Sequence, residues 1–317
     1  MRHLFVMDPL ERIHVQGDST YVVMRTCCER GHEVLMCEPR HLFAREGRAG
    51  AMAQPTVVSA IPPHFQTDAA IPVNLADFDV VWMRKDPPFD MDYIFATYLL
   101  DMVPPTTVVV NDPVGLKVFN EKLWAMHFRE LHPPTLLSRD AKQIRAFVEA
   151  LPGKAVLKPW DGNGGRGILQ TQKGDVNLNS IIEVLTLDGK QAVIAQPFIP
   201  EIRQGDKRIM LFDGEPVGAL LRVPAQDDFR GNMHVGASVQ ATELTARDKE
   251  ICDTLGPALR EHGQIWVGID VIGDWLTEIN ITSPTGFQEI RRLTGKSLED
   301  ELVDRVARHV ARRRNTA

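Results

Sequence analysis

The chain has only four cysteines in 317 residues. The thiols at 27, 28, 37 and 252 show no metal-ligand spacing, and the adjacent Cys27 and Cys28 cannot easily form a disulfide with each other. Scattered thiols of this kind are typical of a reducing compartment. The scarcity therefore argues against a disulfide framework and predicts a cytoplasmic protein.

Long apolar segments and an excess of positive charge are also missing. No segment approaches the roughly 20 apolar residues that span a bilayer, and the N-terminal apolar run at 4–7 is too short for a signal peptide. The chain has 36 Lys and Arg against 42 Asp and Glu, a net charge of −6. Non-specific binding to nucleic acid or anionic membranes needs a broad basic surface. We therefore expect neither a nucleic acid nor a membrane as partner.

What remains is a globular composition, with 44% hydrophobic and 25% charged residues and length for about two domains. In the first third, short apolar strands alternate with helices, which predicts a parallel β/α domain. The clearest helix carries one apolar face, formed by Met91, Ile94, Phe95, Tyr98, Leu99 and Met102. The proline-rich segment 54–72 predicts a loop or an edge strand.

After about residue 120 the pattern changes to short strands, hairpins and helices. Segments 120–131 and 140–151 look helical, and strands follow at 155–158, 167–171 and 191–196. The predicted fold class is therefore a parallel, Rossmann-like β/α domain over residues 1–121 followed by an α+β region over 122–317.

A glycine-rich segment begins directly after Lys158. Gly162, Gly164 and Gly167 satisfy G-x-G-x-x-G, yet the next residues predict a strand, whereas a dinucleotide-binding loop must open a helix. A glycine-rich loop between two strands favours a flap whose backbone N–H groups point at a triphosphate. An ordinary glycine turn, with Lys158 as a strand-end lysine reaching into solvent, is the alternative.

A second signal lies in a predicted hairpin near the C-terminus. The period of two places Glu278 and Asn280 on one face of a strand, and Asp270 on the preceding strand can face them. Carboxylate and amide oxygens together suit Mg²⁺ rather than zinc. The alternative is a polar strand face exposed to water.

Basic residues at strand ends form a third signal. Arg208 and Arg222 can neutralise charge on a transferring phosphoryl group, although most such arginines are merely solvated. Between the glycine loop and these arginines, the apolar segment 195–199 suits an adenine ring, or else is the end of a buried strand.

The order of these features resembles the ATP-grasp superfamily, whose members hold a metal–ATP complex between two α+β subdomains. Further motifs resemble the bacterial glutathione synthetases over essentially the whole chain. These motifs are Met7-Asp8-Pro9, the segments 83–90 and 93–98, Asn120-Glu121-Lys122-Leu123, Gly205-Asp206-Lys207-Arg208 and the segment 276–285.

The resemblance implies a pre-ATP-grasp substrate domain over 1–121 and an ATP-grasp domain over 122–317, with a lid subdomain at about 122–197 and a metal-binding, catalytic subdomain at about 198–317. It implies ATP-dependent ligation of γ-glutamylcysteine with glycine to give glutathione, ADP and phosphate through an acyl phosphate. It also implies Mg²⁺ or Mn²⁺ as cofactor, and a homotetramer.

Four groups of site residues follow from the resemblance. ATP would be bound by Lys122, Lys158, Gly162, Gly164, Gly165, Gln196, Phe198, Ile199 and Asp206. The metal would be held by Asp270, Glu278 and Asn280. The catalytic residues would be Arg208 and Arg222. The other substrates would contact Arg84, Asp86, Asn232, Ser283, Thr285 and Gly286.

One segment departs from the family pattern. In the lid at 224–237, Ala237 replaces a glycine and the residues 226–229 are unusual, which bears on lid closure and on selectivity.

Other hypotheses about the function have weaker support. The segment 84–90 argues against ligases that join D-alanines or add glutamate, and a non-catalytic ATP-binding module would have lost a metal ligand or a lysine. The arginine-rich C-terminus suits a solvated helix end, where cations are favoured.

Overall fold

The structure, a computed structural model, describes residues 1–162, 164–225 and 236–316. Three sheets organise these residues. The strands of the first sheet are β1 (Arg2–Met7), β2 (Glu33–Cys37), β3 (Leu42–Arg45), β4 (Arg48–Val58), β5 (Phe65–Thr67), β6 (Ile71–Asn74), β7 (Val80–Arg84) and β8 (Val108–Val110). Their order is β3-β4-β2-β1-β7-β8, with β5 and β6 also paired to β4. The strands β2, β1, β7 and β8 are mutually parallel, as predicted.

Helices flank this parallel core. They are α1 (Ser19–Glu29), α2 (Met91–Leu100) and α3 (Pro113–Val118). The side chain of Asp18 accepts from the Tyr21 amide and fixes the start of α1. Because β1 pairs with β2 on one side and with β7 on the other, a crevice opens at the carboxyl ends of β1 and β7.

The second sheet is smaller and antiparallel. Its strands are β9 (Leu136–Ser138), β10 (Lys154–Pro159), β11 (Leu169–Gln172) and β12 (Val193–Pro197), in the order β11-β10-β12-β9. It is covered by α4 (Ala141–Ala150) and α5 (Leu178–Thr186). Its buried residues, among them Leu157 and Ile182, form a cluster of their own. We call residues 136–197 the small subdomain.

The third sheet is also antiparallel. Its strands are β13 (Asp206–Phe212), β14 (Glu215–Val223), β15 (Ser238–Ala241), β16 (Trp266–Ile272) and β17 (Trp275–Asn280), in the order β15-β14-β13-β16-β17. The helices that follow or interrupt it are α6 (Ala246–Glu261), α7 (Phe287–Thr294) and α8 (Leu298–Thr316). No helix among the described residues is long and apolar enough to cross a membrane.

The first and third sheets share their cores. One cluster of buried side chains joins Phe5 and Trp82 of the first sheet to Phe212 and Trp266 of the third and to Leu302 of α8. Outside that cluster, Arg30 at the end of α1 pairs with Asp300 and Asp304 of α8. These two regions therefore form one packed body, to which the small subdomain is attached.

Two local expectations differ from the structure, and a third is met by one of its alternatives. The segment 54–72, expected as a loop or an edge strand, contains the end of β4 together with the short strands β5 and β6, which pair with β4. The helix expected at 120–131 is a series of turns with one short 3-10 helix, Ala125–His127.

The turns at 120–131 have a physical cause. The Asn120 side chain accepts from the amides of Lys122 and Leu123. The carbonyls of Glu121 and Leu131 accept from the Ile279 and Leu276 amides. These carbonyls are paired with β17 rather than with a helical turn, so the tertiary contact replaces the helix.

The helix α2 forms as predicted, but the side of it that packs against the core is not the predicted one. Its buried positions include Tyr93, Ala96 and Leu100, whereas Phe95 and Tyr98 of the predicted apolar face are more than half exposed. The helix is apolar on both sides, so the spacing alone does not tell which side the core covers.

Candidate active site

An apolar cleft of about 720 Å³ lies between the small subdomain and the third sheet. The small subdomain contributes Val156, Lys158, Ile168 and Gln196, and the linker between the two sheets contributes Phe198, Ile199 and Ile202. The floor carries Asp206, Asp270, Thr277 and Glu278. The cleft thus has apolar walls and an acidic floor.

A second, polar cleft of about 1220 Å³ continues from the same floor. It shares Asp270 and Glu278 with the apolar cleft and receives residues from all three sheet regions. Its charged lining residues are Asp86, Glu121, Lys122, Arg166, Arg208, Arg222, Asp270 and Glu278. The two clefts meet at the two carboxylates that the sequence predicts to hold a metal.

The glycine-rich loop connects β10 to β11, so a strand and not a helix follows it. Gly164 and Gly165 have φ of 62° and 77°, in the left-handed region that favours glycine. Lys122 donates from Nζ to the Gly162 carbonyl over 2.6 Å and so ties the loop to the body. The absence of a helix at this loop excludes the dinucleotide-binding interpretation.

A buried charge network forms the floor of the clefts. Arg208 binds Asp270 with two hydrogen bonds, Nε to Oδ1 at 2.5 Å and Nη2 to Oδ2 at 3.0 Å. Arg222 lies 3.0 Å from Asp270 Oδ1 and donates to Asp206 Oδ2 over 2.5 Å. Register explains the contacts, because Arg208 pairs with Asp270 across β13 and β16, and Asp206 pairs with Arg222 across β13 and β14.

Burial and the neighbouring guanidinium groups have opposite effects on the pKa values of Asp270 and Asp206. Burial opposes ionisation of Asp270, yet Arg208 and Arg222 hold its pKa well below the usual range. For Asp206 burial dominates and raises the pKa in spite of Arg222. The Asp206 Oδ1 atom is buried and has no hydrogen-bond partner among the described residues.

Two lysines face the same floor from the other side. Lys122 Nζ lies 3.3 Å from Glu278 Oε1. Burial would lower the pKa of Lys122, but Glu278 and Glu121 outweigh it and raise the pKa. For Lys158 burial dominates and lowers the pKa, against the charge of Glu278. Anionic groups in the clefts would therefore meet four cations, two on each side.

The residues expected to bind the other substrates are divided by the structure. Asp86, Ser283 and Thr285 line the polar cleft. Gly286 donates its amide to Ser19 Oγ over 3.1 Å and is not among the described lining residues. Asn232 and most of the atypical lid at 224–237 lie outside the described residues.

Arg84 is likewise not among the described residues that line the polar cleft. It is buried with its guanidinium 3.6 Å from the ring centre of Trp266. It donates to Thr20 Oγ1 and to the Pro284 carbonyl, each over 3.0 Å. Arg84 therefore supports the backbone between Ser283 and Thr285 from behind.

The sequence predicts no role for Glu121, although Glu121 lies within the motif Asn120-Glu121-Lys122. Glu121 accepts from Thr282 Oγ1 over 2.6 Å, and burial raises the pKa of its carboxyl group. Its place beside Lys122, which the sequence predicts to bind phosphate, is the signal that could have drawn attention to it.

The donor set fits a divalent metal. Glu278 and Asn280 offer a carboxylate and an amide oxygen two residues apart on β17, and both line the polar cleft. Oxygen ligands of this kind suit hard cations. Both oxygens of Asp270 already accept from Arg208, and Oδ2 also accepts from Asn280 Nδ2 at 3.3 Å. Both oxygens of Asp270 are thus engaged by arginine, whereas Glu278 is paired through Oε1 with Lys122 and Asn280 joins the network through its amide nitrogen.

A different cluster, His3, Cys27 and His32, lies at the opposite, amino end of the parallel strands, and its ligand-type atoms lie within 4.8 Å of one another. The buried Trp82 donates from Nε1 to His3 Nδ1 over 3.1 Å. A neutral His3 must then carry its proton on Nε2, which faces His32 Nδ1 at 3.0 Å. These hydrogen bonds engage both ring nitrogens of His3, so the His3 imidazole is already paired within the fold.

The fold is similar to that of proteins of known structure. It superimposes on the D-cycloserine synthetase DcsG with a TM-score of 0.67 at 13% identity, over 96% of this chain and 99% of that one. It matches the ATP-grasp ligase PsnB, complexed with a minimal precursor, with a TM-score of 0.63 at 18% identity, over 96% and 98%. The architecture is that of the ATP-grasp fold.

The sequence identifies the family within this class. Residues 1–117 match the family model for the N-terminal domain of prokaryotic glutathione synthetase, and residues 121–295 match the model for its ATP-grasp domain. The glutathione synthetase of Gloeobacter violaceus is 47% identical over 96% of both chains, and that of Thermosynechococcus vestitus is 44% identical over 94% of this chain and 97% of its own. The chain belongs to the prokaryotic glutathione synthetase family, and is an ATP-dependent carboxylate–amine ligase of glutathione synthesis.

Proposed function

We propose that the chain joins γ-glutamylcysteine to glycine through an acyl phosphate, with the chemistry at the junction of the two clefts. The observation that carries this proposal is the shared floor, where an apolar cleft suited to a nucleotide runs into a polar cleft at Asp270 and Glu278. Cations on both sides of that floor suit the negative charge of a triphosphate and a peptide carboxylate.

The two steps follow from the chemistry of a carboxylate, which is a poor acyl donor because oxide is a poor leaving group. The peptide carboxylate attacks the γ-phosphorus of ATP, and the bond to ADP breaks. The amine nitrogen then attacks the acyl carbon, the carbon–oxygen bond to phosphate breaks, and phosphate leaves. Arg208 and Arg222 stabilise the phosphoryl group and the tetrahedral intermediate.

The nucleotide lies in the apolar cleft. Its adenine ring packs near Gln196, Phe198 and Ile199, and Asp206 faces the ribose with its unpaired oxygen. Its phosphates meet Lys122 and Lys158, while the backbone of Gly162, Gly164 and Gly165 closes over them. Asp86, Ser283 and Thr285 line the space left for the peptide.

Glu278 and Asn280 would hold the divalent metal, which we assign as Mg²⁺ with Mn²⁺ as the other candidate. Such an ion neutralises phosphate charge when bound. Asp270 would become a third metal ligand only if Arg208 released one of the two Asp270 oxygens. Free thiols at all four cysteines, three of them buried, support a reducing cytoplasm as the site of action.

A single substitution tests the metal assignment. Glu278→Gln should lose about 10³-fold in γ-glutamylcysteine-dependent phosphate release, because a metal at the phosphates contributes several kcal/mol and each ~1.4 kcal/mol is tenfold. Glu250→Gln, at an exposed glutamate on α6, is the matched control and should keep full turnover. Full turnover in Glu278→Gln would refute the metal assignment. Phosphate release that does not depend on glycine would refute the substrate assignment.

The assembly we propose is a homo-oligomer, with the outer face of α2 and α3 as its contact. Met91, Phe95, Tyr98 and Val118 are each more than half exposed on this face. An apolar patch of this kind marks an interaction surface. By light scattering, Phe95→Glu should lower the molar mass, whereas Val176→Glu, at an exposed valine of the small subdomain, should not. A monomeric wild-type protein would refute this assignment.

A further inference from the structure

The polar cleft contains one half-buried carboxylate to which the reaction above gives no task. Four acids line the cleft. Asp270 is paired with Arg208 and Arg222, and Glu278 is paired with Lys122. Asp86 is exposed. Glu121 is the remaining acid, and its hydrogen bond goes to the neutral hydroxyl of Thr282.

Glu121 also borders a small side pocket of about 310 Å³. The polar cleft and this pocket share Glu121, Lys122 and Thr282, so the carboxylate stands where the two spaces join. Phe89 and Trp160 also line the pocket, and the glycine loop contributes Gly162. The space is therefore narrow and is walled by large side chains.

A second buried polar group nearby has an unmet hydrogen bond. The Tyr93 hydroxyl, on α2, has no hydrogen-bond partner among the described residues. The Tyr93 ring contacts Phe89, which lines the pocket, with 5.3 Å between the ring centres. Buried polar groups are usually paired, and an unpaired one calls for an explanation such as a bound ligand.

The cations of the site repel the amino group of an acceptor, and Glu121 offers that group an opposite charge. Lys122, Lys158, Arg208 and Arg222 attract the phosphates, but they repel an incoming ammonium group. An amino acid that arrives as the acceptor must nevertheless bring its nitrogen to the acyl carbon. A half-buried carboxylate without an ion pair among the described residues offers that nitrogen a favourable place.

We propose that Glu121 is the anionic anchor for the amino group of the acceptor amino acid, and that the adjoining narrow pocket limits the acceptor to one with little or no side chain. This inference rests on the proposed function. Thr282 orients the carboxylate, and the neighbouring Ser283 and Thr285 line the cleft on the side where the acceptor's own carboxylate would lie.

Glu121→Gln tests the inference, because it keeps the shape and removes the charge. We expect the KM for glycine to rise about 10- to 100-fold, as for the loss of a charge-assisted hydrogen bond, with the KM for ATP and for γ-glutamylcysteine unchanged. Glu130→Gln, at an exposed glutamate further along the same segment, is the matched control and should behave as wild type.

Hydroxylamine separates anchoring from other roles. It is largely uncharged at neutral pH, reacts with acyl phosphates and needs no anionic partner. Glu121→Gln should therefore form the hydroxamate of γ-glutamylcysteine at the wild-type rate, which also shows that the variant is folded. An unchanged KM for glycine, or an equal loss with glycine and with hydroxylamine, would overturn the inference. A wild-type protein that forms neither product would instead overturn the proposed function.

Discussion

The small subdomain and the packed body differ in how they are held together. The small subdomain buries its own cluster of apolar side chains and shares none of them with the rest of the described chain. In the body, by contrast, single clusters run through the first and third sheets and α8. A region with a separate core can move as a unit while the body stays fixed.

The two regions also differ in what they offer a nucleotide. The body holds its charges in fixed pairs, as Arg208 with Asp270 and Arg222 with Asp206. The small subdomain contributes Lys158, apolar walls and the glycine loop. In the proposed site, closure of this subdomain over ATP would need no rearrangement inside its own core. The body would supply most of the charges, and the small subdomain would supply Lys158 and the cover.

Breaking the charge network should have the largest effect on stability. Asp270→Asn leaves Arg208 and Arg222 buried with less negative charge, and loss of one partner of a buried ion pair costs about 3–5 kcal/mol. Urea unfolding of the body should shift accordingly, while hydrogen exchange in residues 136–197 should stay as in wild type. Loss of protection in the small subdomain as well would show that the two regions are one cooperative unit.

Leu157→Ala tests the small subdomain from within. It removes a fully buried side chain of β10, next to Lys158, and should destabilise this region by about 2–4 kcal/mol. Hydrogen exchange should accelerate in residues 136–197, and the KM for ATP should rise. Ile269→Ala, the equivalent change in the body, should accelerate exchange throughout the body. The same exchange pattern for both variants would contradict the separation of the two cores.

The smallest expected effect near neutral pH is a pH dependence located in the body. Burial lowers the pKa of His3 to about 3, whereas an unfolded histidine has a pKa of about 6.5. Below that pH, His3 is protonated in the unfolded chain but stays neutral in the folded protein. Stability should therefore fall with decreasing pH, by about 1.4 kcal/mol per unit for this group, until the folded pKa is reached.

His3→Asn isolates this contribution, because asparagine keeps an acceptor for Trp82 and does not titrate. The variant should show a shallower loss of stability between neutral pH and pH of about 4 than wild type. Chemical denaturation at several pH values measures the slope. An identical slope in both proteins would assign the effect to other groups.

Local signals predicted the elements that depend on nearby residues. The helices α1 and α4 begin after Asp18 and Asp140, whose side chains cap them. The hairpin that joins β16 to β17 pairs Asp270 with Glu278, in agreement with the expectation that Asp270 can face the following strand. The turns at 120–131 could not be predicted, because their carbonyls bind amides of β17 more than 140 positions away in sequence.

The sequence by itself determined the family, the order of the chemical groups and the two kinds of sheet domain, because motifs and periodicity are properties of short segments. The tertiary structure alone decided which side of α2 is covered, that the C-terminal helix packs on the first sheet region, and which carboxylates are already paired. Pairing depends on the distance between strands that are far apart in the chain. That is why Asp270 and Glu121, two acids of the same cleft, differ in their partners: two arginines bind Asp270, and a threonine hydroxyl binds Glu121.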